Sequence, residues 1–336
     1  MRGLRRTTKE NKQHPKGMGA VIKGWDVKEE HLRNPKVMPA VDFRAMTSAC
    51  RWDCFHCFTD KLKKDLTLGE IKHVINQLSD MGTWAINFIG EGEPTLDKDF
   101  FEIINHTSSK GIRPVVFTDG ATKLRDRDFV RKTKESGASI VLKCDSLWNA
   151  EYQNWVVGDK KGRYFDQRKE ALELLMEEGF NSIEEDGTTR VGFDMVLCRK
   201  NADEVERTLR YCRENNLWII FAFYLPSGRS AKEDFDRSLT LTADEKRRIA
   251  DTVRRIDEEY GFEHETLNNF LTSASGCVEL MCIYGDGRVT PCPGNEDVIG
   301  NVRKHKIKEL KKKLLEKYPC HDQKTFDGNC CYREKF

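Results

Sequence analysis

Residues Cys50-Arg51-Trp52-Asp53-Cys54-Phe55-His56-Cys57 set three cysteines in Cys-x3-Cys-x2-Cys spacing, directly after a strand-like run near 39–46. Three thiolates without a fourth suit a 4Fe–4S cube that leaves one iron open. A closed structural site takes four ligands, whereas an open position admits a substrate or cofactor. The competing reading is half of a zinc site at Cys54 and Cys57. Zinc then needs a fourth ligand, His56 is squeezed between the two cysteines, and Cys50 becomes surplus.

Outward from this loop the chain alternates strand and helix. Apolar runs near 39–46, 84–90, 113–118, 139–144, 191–198 and 218–224 read as six strands. Thr67-Leu68-Gly69-Glu70 is a capping box opening a helix with Ile71, Val74, Ile75 and Leu78 on one face. Further helical patterns cover Phe100–His106, Asp126–Ser136, Gln167–Glu178 and Ala202–Asn215. Parallel strands need crossover connections, so six such units predict an α/β fold with a parallel sheet and helices outside it. The pattern leaves open whether the sheet closes. Thr242-Ala243-Asp244-Glu245 caps a later helix running to about Glu259. Beyond it, residues 265–336 lose the strand rhythm and hold six of the twelve cysteines. We therefore expect an extension over 1–37, a main domain over 38–235 and a metal-organised unit over 236–336.

With 336 residues the chain is long enough for one large domain and a smaller one. A net charge of +2, with 33% charged residues of interleaved sign, gives no drive toward nucleic acid or an anionic membrane. Met1–Gly19 is basic and polar without an apolar stretch, so we expect neither a secretion signal nor a membrane span. Metal ligation in a reducing cytosol then accounts for the cysteines better than disulfides do.

The octapeptide resembles the signature of the radical S-adenosylmethionine enzymes, including the aromatic residue, His56, before the third cysteine. The resemblance runs over roughly residues 38–335. It implies a partial (βα)6 barrel with the cluster loop after the first strand, where reactive loops at strand C-termini belong. It also implies that the open iron binds the amino and carboxylate groups of S-adenosylmethionine. Gly90-Glu91-Gly92-Glu93-Pro94 is similar to the family's Gly-Gly-Glu-Pro motif, with Glu91 where the first glycine usually stands. Gly90, Gly92, Glu93 and Pro94 are then expected at the methionine amino group. Asp145 and Ser146 are the ribose candidates, Lys143 a partner for the carboxylate, and Arg199 a possible bidentate clamp. The rival for Lys143 and Asp145 is that they pair with each other at the barrel rim. For Arg199 it is a solvated loop position.

Cys277-x4-Cys282 followed by Cys292 is similar to the start of a SPASM or twitch domain, which implies an auxiliary 4Fe–4S cluster. Gly285-Asp286-Gly287 reads as a hairpin turn that brings Cys282 and Cys292 together. The fourth ligand is expected from Cys320, Cys330 or Cys331. Leu225-Pro226-Ser227-Gly228-Arg229 resembles a loop of that subgroup. Zinc on the same thiolates is the alternative.

The resemblance implies that an electron from the first cluster cleaves S-adenosylmethionine to a 5′-deoxyadenosyl radical, which takes a hydrogen from substrate. A flavodoxin or ferredoxin-type reductant is the implied partner. An auxiliary cluster accepting the remaining electron gives oxidation, whereas a thiol returning hydrogen gives epimerisation, with Cys198 the donor to test. The short stretch before the first strand favours a small polar substrate over a peptide. An acidic lining of Asp145, Asp194, Glu91 and Glu93, if inward-facing, would suit a cationic one. A non-catalytic iron–sulfur carrier or a zinc-stabilised binding protein is the reading of another class.

Overall fold

The computed structural model describes residues 20–26, 37–38, 40–224, 228, 236–262, 281–292 and 295–318. Cys277, Cys320, Cys330 and Cys331, and the loop around Gly228, lie outside the described residues. The elements in chain order are β1 (Ala40–Phe43), α1 (Leu68–Asp80), β2 (Ala85–Phe88), α2 (Phe100–Ser109), β3 (Arg113–Thr118) and α3 (Arg127–Glu135). Then come β4 (Ser139–Lys143), α4 (Ala150–Val156), α5 (Tyr164–Glu177), β5 (Val191–Leu197), α6 (Val205–Glu214) and β6 (Trp218–Phe223). The C-terminal part adds α7 (Ala243–Tyr260), β7 (Cys282–Ile283), β8 (Arg288–Thr290), β9 (Gly300–Asn301) and α8 (Ile307–Lys317).

Strands β1 to β6 lie side by side, all parallel. Among the described residues β6 ends the sheet at one edge, so the barrel is partial. Alternation along each strand sorts the side chains. Val41, Phe43, Phe88, Leu142, Phe193 and Phe221 point outward and pack with Ile71, Leu78, Ile103 and Leu175 of the helices. Both expected capping boxes are present: Thr67 and Thr242 each accept from the backbone N–H three residues on, and Glu70 and Glu245 reciprocate.

The inner face carries a second apolar cluster: Ala85, Val115, Val141, Trp218 and Ile220. Residues 20–26 close it from below. Lys23 N donates to Thr189 O at 2.8 Å, and Thr189 N donates back to Val21 O at 2.9 Å. Trp25 lies 4.8 Å from the Trp218 ring, and its Nε1–H donates to Asn87 Oδ1 at 3.0 Å. The N-terminal segment thus supplies the barrel floor. Trp25→Ala should destabilise the fold on the order of 3 kcal/mol by opening a void there. In urea unfolding this appears as a lower midpoint at unchanged slope.

The C-terminal unit continues the same sheet. β7 pairs parallel with β1, Asp42 opposite Cys282, and turns antiparallel into β8 and β9. Gly287, at φ +82°, makes the expected hairpin possible. Arg303 reaches Asp65 at 2.6 Å and Glu70 at 2.5 Å, joining the β9–α8 turn to the start of α1. On the opposite side Arg213 of α6 binds Asp257 of α7 at 2.7 Å in a buried pair.

Candidate active site

The loop after β1 carries Cys50, Cys54 and Cys57, all half-buried and none in a disulfide. Backbone hydrogen bonds fix it from two sides. Gly92 N donates to Thr47 O at 3.0 Å and Glu93 N to Ala49 O at 2.8 Å. Asp53 N and Phe55 N donate to Val157 O and Val156 O, at 3.0 and 3.1 Å, at the end of α4. Two glycines let neighbours come this close. A Cβ on Gly92 would lie 2.3 Å from Ala49 O, and one on Gly228, at φ +54°, 2.1 Å from Phe58 O.

Burial pushes the Cys54 thiol up to about 12, with Cys57 and Cys50 adding to the rise and Lys143 opposing it. Cys50 is pushed up to about 11, again mainly by burial. Cys50 and Cys54 resist ionisation by themselves, and a cationic cluster bound beside them would ionise them. His56 does not complete a zinc site with them. Its Nε2 faces Lys143 Nζ at 2.5 Å, and its buried Nδ1 has no partner. Among the described residues no three His, Cys, Asp or Glu side chains converge on a single-ion centre. A polynuclear iron–sulfur cluster on three soft thiolates fits this donor set.

Beside the loop, Lys143 at the end of β4 binds Asp145 at 2.9 Å, and Asp145 Oδ1 accepts from Val196 N at 3.2 Å. Lys143 and Asp145 are thus partners of each other, the simpler of the two sequence readings. Burial works against ionisation of both, but their mutual attraction outweighs it, raising Lys143 and lowering Asp145. Burial and the Lys143 charge push His56 down to about 3, so its ring is neutral and its Nε2 accepts. Lys143 keeps part of its side chain open to the barrel interior. So does its register partner Asp194, which burial pushes up to about 6.

Other expected site residues are placed differently. Glu93 is buried under the turn: Oε1 accepts from Thr95 N, Thr95 Oγ1 and Thr118 Oγ1, at 3.1, 2.7 and 2.6 Å. Its Oε2 accepts from Asp119 N at 2.7 Å, so the carboxylate buckles this turn to the end of β3. Pro94 opens the short 3-10 turn that Glu93 caps, and Gly90 takes φ +72°. Ser146 is wholly enclosed, donating to Glu204 at 2.7 Å and accepting from Trp148 N and Asn149 N. Its hydroxyl is engaged within the scaffold, where the sequence expectation was a ribose contact. Arg199 faces solvent, 3.3 Å from Glu245 and 3.0 Å from Ser238 O. It ties β5 to α7 and does not point into the barrel. Cys198 is sealed, its Sγ 3.2 Å from Tyr152 OH, in one apolar cluster with Cys54 and Phe55. The acidic mouth is not formed, because Glu91, Glu93 and Asp145 are buried and engaged and Asp194 alone of the four remains half-open.

Cys282 faces the inner side of the sheet beside Asp42, and burial pushes it up to about 12. Cys292 is also buried, two residues past Thr290, the register partner of Cys282. The hairpin therefore brings together the two of the expected C-terminal ligands that are described.

Several contributors carried no strong sequence signal. The seven-residue α4 lends its carbonyls to the cluster loop. Tyr164 OH joins Asp119 O and Lys143 O, at 3.0 and 3.1 Å.

The family model of the Radical SAM superfamily matches residues 45–212. The chain belongs to the radical SAM superfamily. Its members use a 4Fe–4S cluster and S-adenosylmethionine, and SPASM relatives carry auxiliary clusters. Among curated relatives, Fe-coproporphyrin III synthase of Methanosarcina barkeri is 30% identical over 234 residues, 66% of this chain and 53% of that protein. Mycofactocin maturase MftC of Mycolicibacterium smegmatis is 29% identical over 216 residues, 61% of this chain and 49% of that one. The chain spans about half the length of these relatives. Streptococcus suis SuiB, solved with its precursor peptide SuiA, has the same fold: TM-score 0.62, 14% identity, 87% of this chain and 66% of that one. So has anSMEcpe, solved with AdoMet and the Cp18Cys peptide: TM-score 0.62, 17% identity, 86% and 84% covered. No described helix is long and apolar enough to cross a membrane.

Proposed function

We propose that this radical SAM protein abstracts hydrogen from a peptide substrate and oxidises it. The observation carrying the reading is the three-cysteine loop, pinned by Gly92, Glu93 and α4 at the C-terminal end of β1, above a barrel interior. When bound there, the cluster supplies the electron that cleaves S-adenosylmethionine to methionine and a 5′-deoxyadenosyl radical. The protein's own residues hold and shield. Cys50, Cys54 and Cys57 would carry the cluster, and the Lys143–Asp145 pair lies beside their loop. The Gly90–Pro94 turn offers backbone carbonyls to its ammonium. Trp25, Trp218 and Phe117 keep the floor dry, which protects a reactive radical from quenching.

The peptide reading replaces the small polar substrate favoured by the sequence. The acidic lining that argued for a cationic small molecule is not formed. SuiB and anSMEcpe, which share the fold, were solved with peptides, and MftC is a maturase. Cys282 and Cys292 beside the inner face favour an auxiliary cluster as the electron acceptor, hence oxidation. The sealed Cys198 argues against thiol-mediated epimerisation. A flavodoxin or ferredoxin-type protein is the proposed electron donor.

The test begins with anaerobically reconstituted protein, S-adenosylmethionine and dithionite, which should yield 5′-deoxyadenosine. Deuterated peptides, sugars and aminocyclitols are then offered in turn. Deuterium in 5′-deoxyadenosine from a peptide supports the reading. Label only from a small molecule overturns the peptide assignment, and no 5′-deoxyadenosine at all overturns the whole.

A further inference from the structure

One charge inside the barrel has no place in the scheme so far. Arg44, directly after β1, is 3% exposed. Its Nη1 lies 3.5 Å from Glu91 Oε1, and its Nη2 donates to Phe58 O in the cluster loop at 3.3 Å. The guanidinium is stacked between two rings, 4.6 Å from the centre of Phe58 and 4.9 Å from that of Tyr284 in the C-terminal hairpin. Arg44 N donates to Ile283 O at 2.8 Å, one residue past Cys282. Glu91 in turn accepts from Leu62 N at 3.1 Å. This explains why a glutamate occupies the position where the family motif usually has glycine: it is the countercharge of Arg44.

A buried ion pair is seldom the cheapest way to stabilise a core, since apolar residues of similar volume often do as well or better. This pair also leaves a demand unmet: Arg44 Nε, fully enclosed, has no hydrogen-bond partner. An orphaned N–H of a permanent cation, next to a buried cysteine, marks a place for an anionic acceptor. The sulfurs of an iron–sulfur cluster are such acceptors, and hydrogen bonds and nearby charge set the cluster's potential.

We propose that Arg44, locked by Glu91 and the Phe58–Tyr284 stack, is a positioning residue for an iron–sulfur centre held through Cys282, raising its electron affinity. The inference rests on the auxiliary-cluster reading above. A cation favours the more negative, reduced form of the centre, as an acceptor of substrate electrons requires.

The experiment is a redox titration of the reconstituted full chain, followed by electron paramagnetic resonance, with iron counted in parallel. Arg44→Gln combined with Glu91→Gln removes both charges and keeps similar volumes. We expect the signal that Cys282→Ala abolishes to move to lower potential, while the signal that depends on Cys54 stays and serves as internal reference. Arg44→Lys keeps the charge without the planar fork and should give a smaller shift in the same direction. It carries the test alone if the double variant does not fold. Wild-type potentials in both variants, or equal shifts of both signals, overturn the proposal. A wild-type chain with no Cys282-dependent signal overturns the auxiliary-cluster reading and this inference with it, while 5′-deoxyadenosine formation still stands for the first site.

Discussion

Cys54→Ala is expected to abolish 5′-deoxyadenosine formation and to remove about four irons per chain from the reconstituted protein. The three thiols act as one unit. Cys50 and Cys57 are both close enough to Cys54 to influence its ionisation. Two thiolates do not retain a cube whose fourth iron is already reserved for a ligand. Loss of outer partners alone typically costs about 10–100-fold in metal affinity, and loss of a direct ligand exceeds that. Cys212→Ala is the matched control. Cys212 is wholly buried in the outer cluster against the helices, and burial raises its thiol pKa as well. Its loss should cost about 1–2 kcal/mol of stability through the small void, with iron and product formation kept. Iron by colorimetric assay and product by chromatography decide the matter. Retained iron and product in Cys54→Ala would refute the site assignment.

What was legible in the sequence follows from the range of each signal. The six strands and both capping boxes come from local pattern, and each appears within a residue or two of its expected bounds, except β1, which ends three residues earlier than expected. The cysteine triplet was legible because its spacing is itself the chemistry. Orientation was not. Glu91, Glu93 and Asp145 stand near the barrel mouth in sequence, yet each turns inward to a partner: Arg44, the β3 end, and Lys143. Turn residues do not obey the alternation that sorts strand side chains, so pattern offers no facing for them. The joining of β7 to β1 and the Trp25 floor were hidden for another reason. Both are pairings between segments far apart in the chain, and nothing in either segment alone specifies its mate. Arg199 and Ser146 fit a motif by position, but their partners Glu245 and Glu204 lie dozens of residues away.

Gly92→Ala is expected to separate folding from cluster binding. The added Cβ would meet Ala49 O at 2.3 Å, Ser48 C at 2.5 Å and Ser48 O at 2.6 Å. All three are backbone atoms, so no side-chain rotation relieves the contact. Both segments are also held by the bonds Gly92 N–Thr47 O and Glu93 N–Ala49 O. The strain must therefore push the cluster loop away by on the order of 1 Å, breaking one or both bonds at about 1 kcal/mol each. The inner and outer apolar clusters are untouched, so the sheet should remain folded. The cysteine sulfurs move with the loop, and sites of this kind tolerate displacements of only about 0.5 Å. We expect at least a tenfold loss of iron retained after reconstitution, a matching loss of 5′-deoxyadenosine, and a Tm lowered by only a few degrees. Gly69→Ala, in the first turn of α1 with its nearest neighbour Thr67 Oγ1 at 4.0 Å, should keep full iron and gain a few tenths of a kcal/mol. If Gly92→Ala holds iron as well as Gly69→Ala does, the close backbone approach is not what fixes the cysteine loop. The three thiols would then owe their placement to α4 alone.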